Sequence, residues 1–195
     1  MKKSTDYKII IVGDASVGKT SIIMQYHLNT FDPNHHETVG ASFIQKQVEV
    51  GNELININIW DTAGQEKYRS LVPMYTRNAS CAMIVFDVMN ERSYEILASW
   101  YQQVKEEAPE NCRIVIVGNK IDQIPDFEEY KNTDETIKIA NFASENNVDI
   151  FYVSAKTGKN IRELFNDITQ KYPINRAQPQ NEAIHISTTE KKSCC

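Results

Sequence analysis

Apolar residues gather along the chain in four short runs, separated by longer segments of mixed polarity. The runs are YKIIIV (7–12), CAMIVFDV (81–88), RIVIVGN (113–119) and DIFYVS (149–154). Near-continuous apolar runs of this length are typical of buried strands, and the second and third have the character of parallel strands covered on both faces. We therefore expect four buried strands.

Helical periodicity and a hairpin pattern fill the intervals between these runs. Segments 21–28, 91–107 and about 160–172 read as helices. The pair FIQKQVEV and LININIW (43–50 and 54–60) flanks Gly51-Asn52-Glu53 and reads as an antiparallel hairpin. The alternation predicts an α/β fold, a six-stranded, mostly parallel sheet with one antiparallel strand and helices on both faces. Ligands of such sheets bind at the carboxyl ends of the strands.

Length and composition fit one such domain. The chain has 195 residues and a net charge of -5, so it lacks the excess of Lys and Arg that nucleic-acid binding requires. No apolar run reaches the roughly 20 residues that span a bilayer, and no signal-peptide pattern opens the sequence, so we expect a cytosolic fold. Polar residues and proline dominate from Pro173 onward. We expect an extension at 1–6, a folded domain at 7–172 and a flexible tail at 173–195.

The first apolar run leads into a glycine-bounded loop with a phosphate-binding pattern. Residues 13–20 read GDASVGKT and match GxxxxGK[ST] between a strand and a helix. In that context backbone N–H groups surround phosphate oxygens, Lys19 adds positive charge and the Thr20 hydroxyl binds Mg²⁺. The alternative, a glycine-rich turn with an exposed lysine, is disfavoured by the strand–loop–helix context.

A second motif, Asn119-Lys120-Ile121-Asp122, follows the run at 113–119 and indicates the base. The Asp122 carboxylate can accept both hydrogens that guanine offers at N1 and its 2-amino group. Adenine lacks this pair of donors, so the carboxylate would stay unpaired against it, a penalty of a few kcal/mol. Alone, NKID also fits a polar turn; spaced after a phosphate loop, it predicts a guanine nucleotide.

Four motifs, GDASVGKT, WDTAGQE (60–66), NKID and Ser154-Ala155-Lys156, together resemble the Ras superfamily of small GTPases over residues 7–172. The resemblance implies a P-loop NTPase-type small G domain that binds GTP and GDP with Mg²⁺. It implies that Lys120 packs along the base, the Ala155 backbone meets the guanine oxygen and Phe31 stands edge-on to the base. The nucleotide-binding residues it implies are Gly13, Ala15, Ser16, Val17, Gly18, Lys19, Thr20, Ser21, Phe31, Thr38, Gly64, Asn119, Lys120, Asp122, Ser154, Ala155 and Lys156.

The same resemblance implies a metal site and a reaction. Thr20 and Thr38 would bind Mg²⁺ directly, and Asp61 would bind it through water. The Gly64 N–H would bond the γ-phosphate and the catalytic Gln65 would orient the water that hydrolyses GTP to GDP and phosphate. Hydrolysis would then release the loops that carry Thr38 and Gly64 and change the surface that partners meet.

The loop between Phe31 and Phe43 contains no arginine or lysine, so it offers no built-in arginine finger. We expect slow intrinsic hydrolysis that a GTPase-activating protein accelerates by inserting an arginine. The resemblance also implies a guanine nucleotide exchange factor, a GDP dissociation inhibitor or escort protein, and trafficking effectors, all acting on a monomer.

Within the superfamily, TVGASF (38–43) and EKYRSL (66–71) resemble the Rab family. Phe43, Trp60 and Tyr75 match the aromatic trio with which Rabs present their nucleotide state to effectors. The alternative role of this trio is plain packing between the hairpin and the second switch. The stretch SLVPMYTRNA is most similar to early-endosomal Rabs and implies a role in vesicle and endosomal trafficking.

The printed sequence closes with KKSCC, similar to Rabs whose two cysteines are geranylgeranylated. Lipids on both Cys194 and Cys195 would hold the protein on a membrane surface, whereas a single lipid is marginal. The alternative is two free thiols on a disordered tail. We expect localisation on the cytosolic face of intracellular membranes, endosomal by resemblance, with cycling through the cytosol.

Three functional hypotheses follow from these motifs. Intact Thr20, Thr38, Asp61 and Gln65 favour a cycling GTP hydrolase. Ala15, where Ras-like proteins have glycine, lends support to a scaffold or binding module that hydrolyses too slowly to cycle. An ATP-dependent P-loop kinase is disfavoured, because NKID suits guanine and the sequence shows no site for an acceptor substrate.

Overall fold

The computed structural model describes residues 4–34, 38, 41–62 and 72–171. The strands in these ranges are β1 (Ser4–Gly13), β2 (Ala41–Val50), β3 (Glu53–Thr62), β4 (Cys81–Asp87), β5 (Arg113–Asn119) and β6 (Asp149–Tyr152). The helices are α1 (Lys19–Leu28), α2 (Val72–Thr76), α3 (Glu91–Glu95), α4 (Leu97–Glu107), α5 (Phe127–Tyr130), α6 (Asp134–Glu145) and α7 (Ile161–Gln170). In this part of the chain, no helix has the length and apolar character needed to cross a bilayer.

The strands form one sheet in the order β2-β3-β1-β4-β5-β6. Strand β2 is antiparallel to β3, and every other neighbouring pair is parallel. The predicted fold, a mostly parallel six-stranded sheet with one antiparallel strand, is confirmed. The carboxyl ends of the five parallel strands therefore meet at one edge of the sheet, where loops can form a binding site.

The apolar runs are explained by cover on both faces of the sheet. Along β1, Ile9 and Ile11 belong to one buried cluster, and Ile10 and Val12 belong to the other. Helices α1 and α7 contribute side chains to the first cluster, and α4 and α6 contribute to the second. Because successive side chains of a strand point to opposite faces, a strand covered on both sides must be apolar at nearly every position.

The structure corrects two predicted boundaries. The segment 91–107 forms two helices rather than one, because the backbone turns at Ile96 and the buried Ser93 hydroxyl bonds to the main chain at the end of β4. Strand β1 begins at Ser4, three residues before the predicted start, because Ser4 still pairs with Leu54 of β3.

Three of the described helices were not predicted, and α2 is one of them. Helices α5 and α6 occupy the segment between NKID and the last strand, and both begin at a side-chain cap. The carboxylate of Asp126 accepts from the backbone N–H groups of Glu128 and Glu129, and the Thr133 hydroxyl accepts from Thr136.

Candidate functional site

A pocket of about 300 Å³ opens at the carboxyl edge of the sheet. Loops that follow β1, α1, β5 and β6 form its walls. Its lining residues are Ala15, Ser16, Gly18, Lys19, Thr20, Ser21, Phe31, Asp32, Pro33, Thr38, Thr62, Asn119, Lys120, Asp122, Gln123, Ala155 and Lys156. Thirteen of these seventeen are residues that the sequence motifs single out, so the motifs converge on one cavity.

Glycine is required where the phosphate-type loop leaves β1 and where it enters α1. Gly13 has φ +140°, and a Cβ there would overlap the carbonyl oxygen of Val85. Gly18 has φ +94°, and a Cβ there would overlap the amide nitrogen of Asn119. Both positions combine a backbone conformation that L side chains rarely adopt with a close neighbour. Gly13 and the buried Val17 thus shape the loop from behind the pocket.

Lys19 is the buried cation of this loop. Its ammonium donates to the carbonyl oxygens of Gly13 at 3.0 Å and Asp14 at 2.7 Å. Burial lowers the pKa of Lys19 to about 8, although the nearby Asp61 and Asp14 carboxylates act in the opposite direction. A phosphate anion in the pocket would also stabilise the charged form.

Side-chain oxygen atoms of three residues lie close together beside Lys19. The Thr20 hydroxyl donates to Asp61 Oδ2 at 2.6 Å, and Thr20 Oγ1 lies 2.7 Å from Thr38 Oγ1. Carboxylate and hydroxyl oxygens are hard ligands of the kind that Mg²⁺ prefers, together with water and phosphate oxygens. The donor chemistry of these three residues therefore fits Mg²⁺. The structure describes no cluster of three or more His, Cys, Asp or Glu in residues 4–34, 38, 41–62 and 72–171 that would suit a metal bound by protein alone.

Asn119 joins the two ends of the pocket. Its side-chain amide donates to the Val17 carbonyl at 2.9 Å, and its Oδ1 accepts from the Ala155 N–H at 3.0 Å. The side chain is buried, so both bonds are shielded from water. One residue thereby ties together the loops that follow β1, β5 and β6.

The carboxylate of Asp122 is held in place at the other end of the pocket. The Ser154 hydroxyl donates to Asp122 Oδ1 at 2.6 Å, and Ser154 Oγ in turn accepts from the Thr157 N–H at 3.1 Å. The Asp122 side chain is 11% exposed, and Lys156 Nζ lies 3.9 Å from its Oδ2. Ser154 is fully buried beneath the pocket wall, so it acts on the site through Asp122. Such a fixed acceptor suits a ligand that presents adjacent N–H donors.

The sequence analysis missed several residues of the site. Thr62, Asp32, Pro33 and Gln123 line the pocket, and Asp87 stands behind it with Oδ2 2.6 Å from Lys120 Nζ. Asp87 ends a buried strand, so its place at the carboxyl edge was a usable signal. Thr62 lies within the WDTAGQE motif but was given no role, and Asp32, Pro33 and Gln123 belong to no pattern that distinguishes them from ordinary loop residues.

The predicted aromatic trio forms a continuous contact. The ring centroids of Phe43 and Trp60 lie 5.2 Å apart, and those of Trp60 and Tyr75 lie 5.9 Å apart. Phe43 is 50% exposed, so the contact reaches the protein surface. Of the remaining predicted residues, Gly64, Gln65, Cys194 and Cys195 lie outside the described residues.

Comparison with known proteins gives matches along most of the chain. The model of the Ras family matches residues 8–173. The GTP-binding protein ypt5 of Schizosaccharomyces pombe is 38% identical over 168 residues, which cover 86% of this chain and 78% of that protein. Ras-related protein Rab-22A of Mus musculus is 35% identical over 195 residues, which cover 97% of this chain and 98% of that protein. Ras-related protein Rab-31 of Mus musculus is 40% identical over 168 residues, which cover 86% of this chain and 84% of that protein.

Proposed function

The chain belongs to the Ras family of small GTPases, in its Rab branch, and from that premise we propose a membrane-anchored switch that hydrolyses GTP slowly and recruits trafficking effectors while GTP is bound. Members of this family bind GTP or GDP with Mg²⁺ and hydrolyse GTP. The observation that carries the proposal is the pocket itself. It places a buried cation at one end and a fixed carboxylate at the other, with Asn119 between them.

At the phosphate end, Lys19 and the backbone of residues 13–20 bind the phosphates. The lysine is already desolvated, so its attraction to an anion is less screened than that of an exposed side chain. Thr20 and Thr38 would hold Mg²⁺ directly and Asp61 would hold it through water, which fits the three convergent oxygens. When bound, Mg²⁺ neutralises charge on the phosphate oxygens.

At the base end, Asp122 selects guanine and Lys120 covers the base. With Oδ1 bonded to Ser154, the carboxylate keeps a fixed direction and further lone pairs for the guanine N1–H and 2-amino group. The Ala155 backbone meets the guanine oxygen, and Phe31 stands at the pocket rim. Adenine would leave the Asp122 carboxylate without its donors, and this supports the exclusion of ATP.

Hydrolysis is assigned to Gln65, with Gly64 bonding the γ-phosphate. Gln65 orients water, and the loop between Phe31 and Phe43 has no arginine or lysine that could stabilise the transition state. The intrinsic rate is therefore slow, and a GTPase-activating protein supplies an arginine, a device worth about 10⁵-fold in the Ras example. An exchange factor reverses the switch by releasing GDP.

The nucleotide state is reported through the surface of Phe43, Trp60 and Tyr75. Phe43 and Trp60 belong to the hairpin that leads from one switch to the other, and Tyr75 lies on α2. Ring contacts across these elements couple them physically, so a shift in either switch alters the exposed aromatic surface. Trafficking effectors read this surface in the GTP state.

Membrane attachment is assigned to Cys194 and Cys195. Two geranylgeranyl groups give stable anchoring, and a GDP dissociation inhibitor or escort protein that masks them allows the protein to cycle through the cytosol. We assign the G domain to a segment that begins at Ser4, where β1 starts, and ends at residue 172, and the tail to 173–195. The similarity of residues 70–79 to early-endosomal Rabs supports an endosomal membrane.

Single-turnover hydrolysis of bound GTP with Mg²⁺ tests the activity. Wild type should release phosphate slowly, and Gln65→Leu should lower the rate further by about 10²-fold or more, as loss of a water-positioning group does. The matched control is Gln47→Leu, because Gln47 lies on β2 and bonds to Asn56 away from the pocket. Equal rates in wild type and Gln65→Leu would contradict the assignment.

A second function, a nucleotide-dependent scaffold, has one observation in its favour. Ala15 lines the phosphate end of the pocket, and its methyl group would lie near the terminal phosphate of a bound GTP. The two functions differ in the response to an arginine-bearing activating protein. If the protein is a scaffold, the activating protein would not accelerate its GTP hydrolysis. The Ala15→Gly variant would then regain that acceleration.

A further inference from the structure

The ion pair between Asp87 and Lys120 lies directly behind the base end of the pocket. Asp87 Oδ2 is 2.6 Å from Lys120 Nζ, and the two side chains are 11% and 28% exposed. Lys120 lines the pocket, whereas Asp87 does not touch it. We propose that Asp87 is a positioning residue, which holds the Lys120 side chain against the base site and thereby slows nucleotide release. This inference rests on the proposed function, since it needs a guanine nucleotide in the pocket.

The Asp87 carboxylate is itself held rigidly. Asp87 is the last residue of β4 and pairs in register with Asn119 of β5, and the Val88 N–H donates to the Asn119 carbonyl at 3.1 Å. The Asp87 N–H donates to the buried Ser93 hydroxyl at 3.0 Å. Its Oδ1 accepts from the Met89 N–H at 3.0 Å. One carboxylate oxygen is thus fixed by the main chain, and the other is offered to Lys120.

Lys120 needs such a partner to keep one position. Its backbone has φ +72°, a left-handed conformation that is uncommon for a non-glycine residue. Its side chain is a flexible stem with a strongly hydrated ammonium, which favours many rotamers in water. A partly shielded carboxylate at 2.6 Å favours one of them and is less screened by salt than a surface partner. Asp122, a second acid at the base end, is engaged by Ser154 and Lys156.

Ion pairs elsewhere in the fold provide a contrast. At the opposite edge of the sheet, Arg113 lies 2.6 Å from Asp167 Oδ1 and also pairs with Asp149. These contacts join β5, β6 and α7 far from the pocket, so their role is to stabilise the fold. The Asp167 side chain is 26% exposed, and its ion-pair distance to Arg113 matches that of Asp87 to Lys120. Asp167 is therefore a matched control for the loss of an ion-paired carboxylate.

The first test is the release of a fluorescent GDP from the full chain, chased with excess GDP. Asp87→Asn keeps the size of the side chain and its acceptor for Met89, and removes only the charge. We expect the release rate to rise about tenfold, as coupling between contacting charged residues would give. Single-turnover hydrolysis of bound GTP should stay within about twofold of wild type, because the phosphate end is unchanged. Asp167→Asn should lower Tm without changing the release rate.

A double-mutant cycle separates positioning from a general structural role. In a Lys120→Gln background, Asp87→Asn should change the GDP release rate little further, because the ammonium that Asp87 holds is already absent. Should Asp87→Asn fail to fold, Asp87→Glu decides: its longer, still charged side chain should give a release rate between those of wild type and Lys120→Gln. Release at the wild-type rate in Asp87→Asn or Asp87→Glu, or an equal acceleration in the Lys120→Gln background, would overturn the proposal. Failure of wild type to retain GDP would instead overturn the proposed function.

Discussion

The two ends of the pocket are built in different ways. The main part of the phosphate end is a loop of contiguous residues, 13–20, whose shape follows from glycines at 13 and 18 with positive φ and from a lysine bonded to its own loop. The base end combines residues from the loops after β4, β5 and β6, which are far apart in sequence. Side-chain contacts such as Ser154 to Asp122 and Asp87 to Lys120 hold these loops together.

This difference has a mechanical consequence. Backbone geometry at the phosphate end should serve any nucleoside triphosphate, whereas the side chains at the base end decide which base is accepted. Changes at the phosphate end should therefore alter affinity and metal dependence, and changes at the base end should alter selectivity and release. Asn119 is the exception, because it bonds to both ends.

The largest effect is expected from Asn119→Ala, which would break the connection between the two ends. The Val17 carbonyl and the Ala155 N–H would lose a shielded partner, at about 1–3 kcal/mol each. The affinity for GDP should fall by roughly 10²–10⁴-fold in a fluorescence titration. Asn56→Ala, which removes an exposed amide from β3, is the control. A fall of less than about tenfold would mean that the two ends are held together without Asn119.

Asp122→Asn should change the base end alone. An amide in place of the carboxylate presents an N–H group to the guanine 2-amino group, while xanthine offers a carbonyl oxygen at the same position. We expect the affinity for GTP to fall by about 10²-fold and the affinity for XTP to rise, measured by competition with a fluorescent nucleotide. The Mg²⁺ dependence of release should be retained. Unchanged GTP and XTP affinities would refute the assignment of Asp122.

Removal of Mg²⁺ should act on the phosphate end alone. Chelation with EDTA removes Mg²⁺, whose charge neutralises the phosphate oxygens. Hydrogen bonds to charged groups contribute about 1.5–3 kcal/mol, and we expect the loss in nucleotide binding to be of that order. GDP release should accelerate by roughly 10–100-fold in wild type and in Asp87→Asn. In Asp61→Asn the acceleration by EDTA should be smaller, since the metal is already held less well. Equal EDTA effects in wild type and Asp61→Asn would argue against the metal site at Thr20, Thr38 and Asp61.

The smallest effect is expected from Gly118→Ala, beneath the base end. A Cβ there would come within 2.7 Å of Phe86 Cζ and 2.8 Å of Tyr152 Cδ1, so both rings must shift. Overpacking of this kind costs about 1–3 kcal/mol. Tm should drop and GDP release should accelerate by a few fold. Gly51→Ala, in a turn with φ +61° and no atom within 4 Å of the added Cβ, should lower Tm but leave release unchanged.

The same contrast explains how far the sequence could predict the structure. The six strands follow from apolar runs and a hairpin pattern, and the phosphate loop is a contiguous motif. Helix α5 was missed because it has only four residues. Its support comes from the Asp126 cap, from the stacking of Phe127 on Tyr130 and from the edge-on contact of Phe127 with Tyr152. Short elements of this kind carry no periodicity of their own.

The site shows the same limit. Asn119 and Asp122 were found because they belong to the tetrapeptide NKID, which follows the phosphate loop at a recognisable spacing. The pairing of Lys120 with Asp87 was missed, because it joins the last residue of β4 to the residue that follows β5, and only the sheet order brings the two together. The roles of Gln65, Cys194 and Cys195 stay predictions.

Competition between GTP and ATP for the wild-type pocket tests the central claim most directly. The protein is loaded with fluorescent GDP in the presence of Mg²⁺, and each nucleotide is titrated until the label is displaced. A guanine-specific switch predicts displacement by GTP near stoichiometric concentrations and retention of the label at an ATP excess of about 1,000-fold, because Asp122 and the loops that hold it are built for guanine. Displacement by ATP and GTP at similar concentrations would contradict the account.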